Sequence, residues 1–285
     1  MHDLSEYELH KSGDELANTP YLVRRVPAIW LPVAILIVAA AIGVYFLLRG
    51  REQTPTAAPA QQGAVAPAKA PARPLGGEAE PIEVPPLNES DPVVRSLVRA
   101  LSTHPRVTAW LATNGLIRNF AVVVENIAGG STPSTHLGVL RPSSAIYVTE
   151  RSGTFRIDPR SYARYSSIAD AVDSIDPAAS ARVYATLKPR IEEAYLELGH
   201  SDPFDRALEM ALVSLLQVPV TDAADRVVPG SGGYAFADPR LEQLTPAQKQ
   251  LLRMGPQNAR VIQRKLRDIS LALGIPAERL PPPQS

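Results

Sequence analysis

The sequence predicts a mainly α, multi-helix globular domain with one or two short β-hairpins, preceded by a single transmembrane helix and a disordered Pro/Ala linker. Three observations carry that prediction. Ile29 to Leu48 holds no charged residue, and at 1.5 Å of rise per residue such a run spans the roughly 30 Å hydrocarbon core of a bilayer. Glu52 to Pro86 is nearly half Pro and Ala, with too few large apolar side chains to offset the entropy of ordering. From Leu87 onward, apolar residues recur at helical spacing, interrupted by short stretches that end in glycine turns.

The apolar run is bracketed by Arg24 and Arg25 before it and by Arg49 and Arg51 after it. Trp30 and Tyr45 lie near its ends, where amphipathic rings prefer the headgroup level. Asp3, Glu6, Glu8, Asp14 and Glu15 make the preceding tail too acidic for a cleaved leader, and the run exceeds the usual leader core. The expected organisation is a disordered cytoplasmic tail over 1–25, a transmembrane helix over 26–48 and a Pro/Ala-rich linker over 49–86. A folded α-rich domain over 87–275 and a Pro-rich tail over 276–285 complete it. Flanking basic residues set no strong orientation. A short tail, one anchor and a large C-terminal domain suit export of the C-terminal side, with the N-terminus cytoplasmic.

Within the domain, Asp91 or Ser90 caps a first helix with Pro92 in its opening turn. Val93, Leu97, Val98 and Leu101 then line one face. His104-Pro105 starts a short helix that ends at Asn114-Gly115, and Leu116 to Ile127 forms the next. An irregular loop leads to a hairpin over residues 145–158, turning at Arg151-Ser152-Gly153. Ile168, Val172 and Ile175 mark another helix. Asp176-Pro177 opens a longer one, which Pro189 is expected to kink or split. Asp202 caps the following helix, whose Phe204, Leu208, Ala211, Leu212, Leu215 and Leu216 cover most of its circumference and make it central to the core. A second small hairpin surrounds the Pro229–Gly233 turn. Thr245-Pro246-Ala247-Gln248 is a capping box, and the last helix runs from near Pro256 to Gly274.

With the segments in place, the chain resembles a bacterial family known as domain of unknown function 3014, over roughly Leu87 to Leu273. The resemblance rests on LNESDPVVRSLV, LIRNFAVVVENIA, RIDPRSYARY, LKPRIEEAYLELG and FADPRLEQLTPAQKQLLRMGPQNARVIQRKLR. An N-terminal anchor followed by a Pro/Ala linker is also similar to that family's layout. The resemblance implies no reaction, ligand or catalytic residue.

Composition and motifs narrow the chemistry. Lys+Arg and Asp+Glu balance at 29 each, so the basic field that collects a nucleic acid is missing. The chain has no cysteine, hence no thiolate nucleophile and no thiolate metal site. The domain histidines His104, His136 and His200 stand apart and outside any metal-ligand spacing. Asp170, Asp173 and Asp176 share a helical face but lack the calcium-loop pattern. No G-x-S-x-G is present, and Pro229–Gly233 lacks the Lys-Ser/Thr of a phosphate loop. No metal or cofactor is expected.

Three positional readings remain. Arg118, Glu125 and Asn126 interrupt an apolar helix, as members of a buried polar network would. Glu193, Glu197, Asp202 and Asp205 could supply the paired carboxylates of a hydrolase acting on cell-wall glycan. On the last helix Ile262, Leu266, Ile269 and Leu273 form one stripe, while Arg260, Arg264 and Arg267 form another about 180° away, with Lys249 and Arg253 just upstream. That basic stripe suits an anionic envelope protein or wall component. The preferred expectation is a non-catalytic binding or scaffold module held in the periplasm. The alternatives are the hydrolase and an oligomeriser working through its membrane helix.

Overall fold

The computed structural model describes residues 74–133, 136–138, 142, 146–230 and 233–283. The expected acidic tail, the 26–48 membrane helix and the linker as far as residue 73 lie outside the described residues. Among the described residues no single helix is long and apolar enough to cross a membrane. They form a mainly helical domain of ten α-helices with a small four-stranded antiparallel sheet.

The order is α1 (Asp91–Leu101), α2 (Pro105–Leu111), α3 (Leu116–Ala128), β1 (Val148–Arg151), β2 (Thr154–Ile157), α4 (Arg160–Ala163) and α5 (Ser166–Asp173). There follow α6 (Pro177–Glu197), α7 (Phe204–Leu216), β3 (Arg226–Gly230), β4 (Gly233–Phe236), α8 (Pro239–Glu242), α9 (Pro246–Arg253) and α10 (Pro256–Ala272). Helices α1, α2, α6, α8, α9 and α10 all carry proline in the first or second position. There the ring's fixed φ fits and its missing N–H would have had no intrahelical partner.

Capping separates local from tertiary causes. Asp176 accepts from the Ala179 N–H at 2.6 Å, and Thr245 with Gln248 makes the expected capping box. Two other helices are capped from a distance. At the start of α3, Gly115 has φ 65° and no side chain to offer. The Asp91 carboxylate of α1 accepts from the Gly115 and Leu116 N–H groups instead, at 2.8 and 2.9 Å. At the start of α7 stands Pro203, and Glu192 of α6 accepts from the Phe204 N–H at 3.0 Å. Asp202, expected as that cap, pairs with Arg206 at 3.4 Å. Helix α6 also runs unbroken through Pro189. Val183, Tyr184 and Leu187 before the proline and Ile191, Ala194 and Tyr195 after it are buried in one cluster, and that burial outweighs the lost backbone bond.

The two expected hairpins form, and they join. Ser152 and Gly153 both have positive φ, 50° and 72°, as a two-residue hairpin turn requires. Strand β2 then pairs with β3, setting Phe155 opposite Val227 and Arg156 opposite Arg226, so the order is β1-β2-β3-β4.

Two apolar clusters result. The first gathers α1, α3, α6 and α7 around Phe204, which is fully buried and ringed by Phe120, Tyr184 and Tyr195. The second sets the sheet against α5, α9 and α10. Helix α10 joins them: Ile262 belongs to the second, Ile269 packs on the first, and Leu266 packs against both. Gly255, before α10, has φ 88°, and a Cβ there would lie 2.4 Å from the Tyr162 ring.

The folded unit begins before Leu87. The last stretch of the expected linker is laid along the domain as a strap. The Leu75 N–H donates to Asp205 at 3.1 Å, Gly76 to the Leu273 carbonyl at 2.9 Å, Gly77 to the Ala181 carbonyl at 3.1 Å and Glu80 to the Thr186 hydroxyl at 2.8 Å. Leu75 and Val84 pack on the first cluster. The proline-rich end is also engaged: Leu280 is buried and Arg279 pairs with Glu209 at 2.6 Å.

Candidate functional site

Helix α10 presents its apolar stripe to both clusters and its basic stripe outward. Arg260 and Arg264 are exposed and Arg267 is half-buried. All three line one cleft of about 340 Å³, closed by Leu216, Gln263, Pro282 and Pro283. Arg264 pairs with Asp173 of α5 at 3.2 Å. Among the described residues neither Arg260 nor Arg267 has a carboxylate partner. Two guanidinium groups thus keep their full hydrogen-bonding capacity beside a concavity, and each offers planar, bidentate donors suited to a carboxylate or phosphate.

Gln263 is 6% exposed and forms the cleft floor. Its Nε2 donates to the Leu215 and Val218 carbonyls at 3.0 and 2.9 Å, closing the end of α7, while its Oε1 is buried without a donor among the described residues. The floor is therefore fixed in place by the helix it caps. Gln263 and the two prolines escaped the sequence reading, although a glutamine next to Ile262 on the buried stripe is a readable anomaly.

Lys249 and Arg253 do not line this cleft. Lys249 donates to the Glu242 carboxylate at 2.6 Å, and Arg253 lies over the Phe236 ring at 5.5 Å. The Lys249 ammonium, together with the Phe236 N–H, holds the Glu242 carboxyl below its ordinary range. Both cations are used in joining α9 to the sheet and α8.

Arg118, Glu125 and Asn126 are half-buried and go to separate partners rather than to each other. Arg118 grips Glu197 of α6 with two nitrogens and reaches Asn88 at 3.0 Å. That bond raises the arginine and lowers the glutamate. Glu125 lies 3.7 Å from His200, whose ring stacks on Tyr195 at 4.3 Å. Asn126 accepts the Ser131 N–H on its backbone oxygen, ending α3. The Arg118 and Glu125 side chains thus go to different neighbours, in surface pairs.

The four carboxylates considered for hydrolysis are each engaged by a basic side chain. Glu193 pairs with Arg190 at 2.7 Å, Glu197 with Arg118 and Asp202 with Arg206. Asp205 accepts from Tyr184, Lys188 and the strap. Burial and the bond to Asp205 push the Tyr184 phenol far up. None of the four lines the arginine cleft.

The family model described as protein of unknown function DUF3014 matches residues 116–270. The chain belongs to that family. The DUF3014 match opens on the first residue of α3 and closes near the end of α10. It therefore takes in the sheet, both interhelical clusters' shared helix and the whole arginine stripe, while the strap and Asp91 precede it. No curated protein and no solved structure matches the chain.

Proposed function

We propose that this DUF3014 protein is a non-catalytic binding module of the bacterial envelope, tethered to the inner membrane by residues 26–48 with its N-terminus cytoplasmic and its domain periplasmic. The tether rests on the sequence: a charge-free run of membrane-spanning length bracketed by arginines. The binding face is the α10 cleft, and its partner is an anionic envelope protein or wall component. One observation carries this reading: Arg260 and Arg267 border a cleft of about 340 Å³ without a carboxylate partner among the described residues. Arginines that only solvate a helix face have no need of a shared concavity with a fixed floor.

The test is in-cell crosslinking of the full chain followed by capture of partners. Replacing Arg260→Glu and Arg267→Glu together should abolish capture while the melting temperature stays within a few degrees of wild type. Unchanged capture would overturn the assignment.

A further inference from the structure

The four-stranded sheet buries one face and leaves the other bare. Side chains alternate across a strand. Val148, Ile157, Val227 and Phe236 therefore face the second cluster, while Thr149, Arg151, Thr154, Arg156, Arg226 and Val228 face away from it. All six of the latter are exposed. Register brings the three arginines together. Arg156 stands directly opposite Arg226 on the neighbouring strand, and Arg151 lies on a diagonal from Arg156, with Thr149 and Thr154 at the other two corners. Opposed residues of this kind lie about 5 Å apart and diagonal ones about 7–8 Å.

Like charges in direct opposition destabilise a sheet, and the chain offsets only part of that cost. Asp225 pairs with Arg156. Among the described residues neither Arg151 nor Arg226 has a carboxylate partner. None of the strand positions on this face is acidic. One step before β1, the Tyr147 carbonyl accepts from the Asp158 N–H at 2.9 Å, which extends the ladder. The Tyr147 ring is 51% exposed, Arg160 lies over it at 5.5 Å, and Val228 is 44% exposed. Unpaired guanidinium groups, hydroxyls and two exposed apolar bodies suit the headgroup level of an anionic bilayer. There phosphate takes the cations, and the ring and the valine enter the boundary with the acyl region.

We propose that this open sheet face docks on the anionic phospholipid surface of the membrane that holds the chain. The inference rests on the tether argued above. Only residues 49–73 separate Leu48 from Pro74, where the described domain begins, and they span at most roughly 90 Å when fully drawn out. The bilayer surface is therefore always within reach, and each unpaired arginine laid against it is attracted at short range. A nucleic acid is a poorer occupant, because Lys+Arg and Asp+Glu balance at 29 each and leave no basic field beyond the patch. The face shares no residue with the α10 cleft.

The chain has no cysteine, so Thr154→Cys in the full-length protein places a single dye on this face, and Leu196→Cys places one on the exposed end of α6. The protein is reconstituted into phosphatidylcholine vesicles with or without phosphatidylglycerol, each carrying a nitroxide quencher at the headgroup. Quenching at position 154 should be about threefold stronger with phosphatidylglycerol and should fall back in high salt. The dye at position 196 should show no such dependence. Arg151→Thr with Arg226→Thr, residues suited to strands, should remove the difference while melting no lower than wild type, because the opposed charges are gone. A double variant that melts lower assigns the arginines to the fold and overturns the proposal. Quenching indifferent to phosphatidylglycerol, in protein that floats with the vesicles, overturns the docking face and leaves the tether standing. If immobilised polyphosphate then retains the wild type but not the double variant, the face belongs to a soluble polyanion instead. Protein that does not float with either vesicle refutes the tether and this inference with it.

Discussion

At the scale of single residues, the acids of this domain hold helices and strands together, and one of them gives a readable pH dependence. Glu242 accepts from Lys249 and from the Phe236 N–H at 2.9 Å, so its folded carboxyl titrates below its unfolded value. The folded state then binds fewer protons than the unfolded one across that interval. The contribution of Glu242 is complete above the ordinary carboxylate range and is lost as pH falls through the folded pKa. Wild type should thus melt higher than Glu242→Gln near neutrality, and the two melting temperatures should converge below about pH 4. Parallel curves down to acid pH would mean that the Lys249 pairing contributes nothing to folding. Glu197, lowered by its bond to Arg118, follows the same sign, but the pair lies at the surface and is screened by salt.

At the scale of elements, what decides legibility is whether a boundary is set by neighbours in sequence or in space. Asp176, Thr245 with Gln248, the prolines that open α1, α2, α6, α9 and α10, and the Ser152-Gly153 turn act within a few residues, and each was legible. The starts of α3 and α7 were not, because Asp91 and Glu192 reach them from other helices. Replacing Asp91→Ala should cost about 1–3 kcal/mol in urea unfolding, because it strips two N–H groups of α3 as well as Arg95 of its ion pair. Asp91→Asn, which keeps one acceptor, should recover part of the loss; an Ala variant as stable as wild type would show that water caps α3 equally well. The joining of β2 to β3 was hidden for the same reason, since no local pattern tells a strand edge which other edge it meets. The arginine stripe was legible because 3.6-residue periodicity alone fixes it. Its floor at Gln263 and its proline wall needed the fold of the chain's end.

At the scale of the whole molecule, the strap over residues 74–86 settles where the domain starts. Composition marks this stretch as linker, since it is rich in Pro, Gly and Glu. What composition misses is that Gly76 and Gly77 permit close backbone approach. A Cβ on Gly76 would meet Ala185 Cβ at 3.0 Å, with φ at 111°. The strap ties three helices at once, bonding to Ala181 and Thr186 of α6, Asp205 of α7 and Leu273 just past α10. All three helices also line an apolar hollow of the first cluster. A chain beginning at Leu87 should therefore be less stable than one beginning at Pro74 by about 3 kcal/mol, counting roughly 1 kcal/mol per net hydrogen bond against the entropy of ordering the strap and adding the burial of Leu75 and Val84. Urea midpoints of the two chains measure this, and coincident midpoints would show the strap to be a passenger. Asp205 sharpens the comparison. Its carboxylate also serves Tyr184 and Lys188, so Asp205→Ala should destabilise both chains, but by about 1 kcal/mol less in the chain that has already lost the Leu75 N–H. That difference separates a strap gripped by α7 from one merely lying beside it.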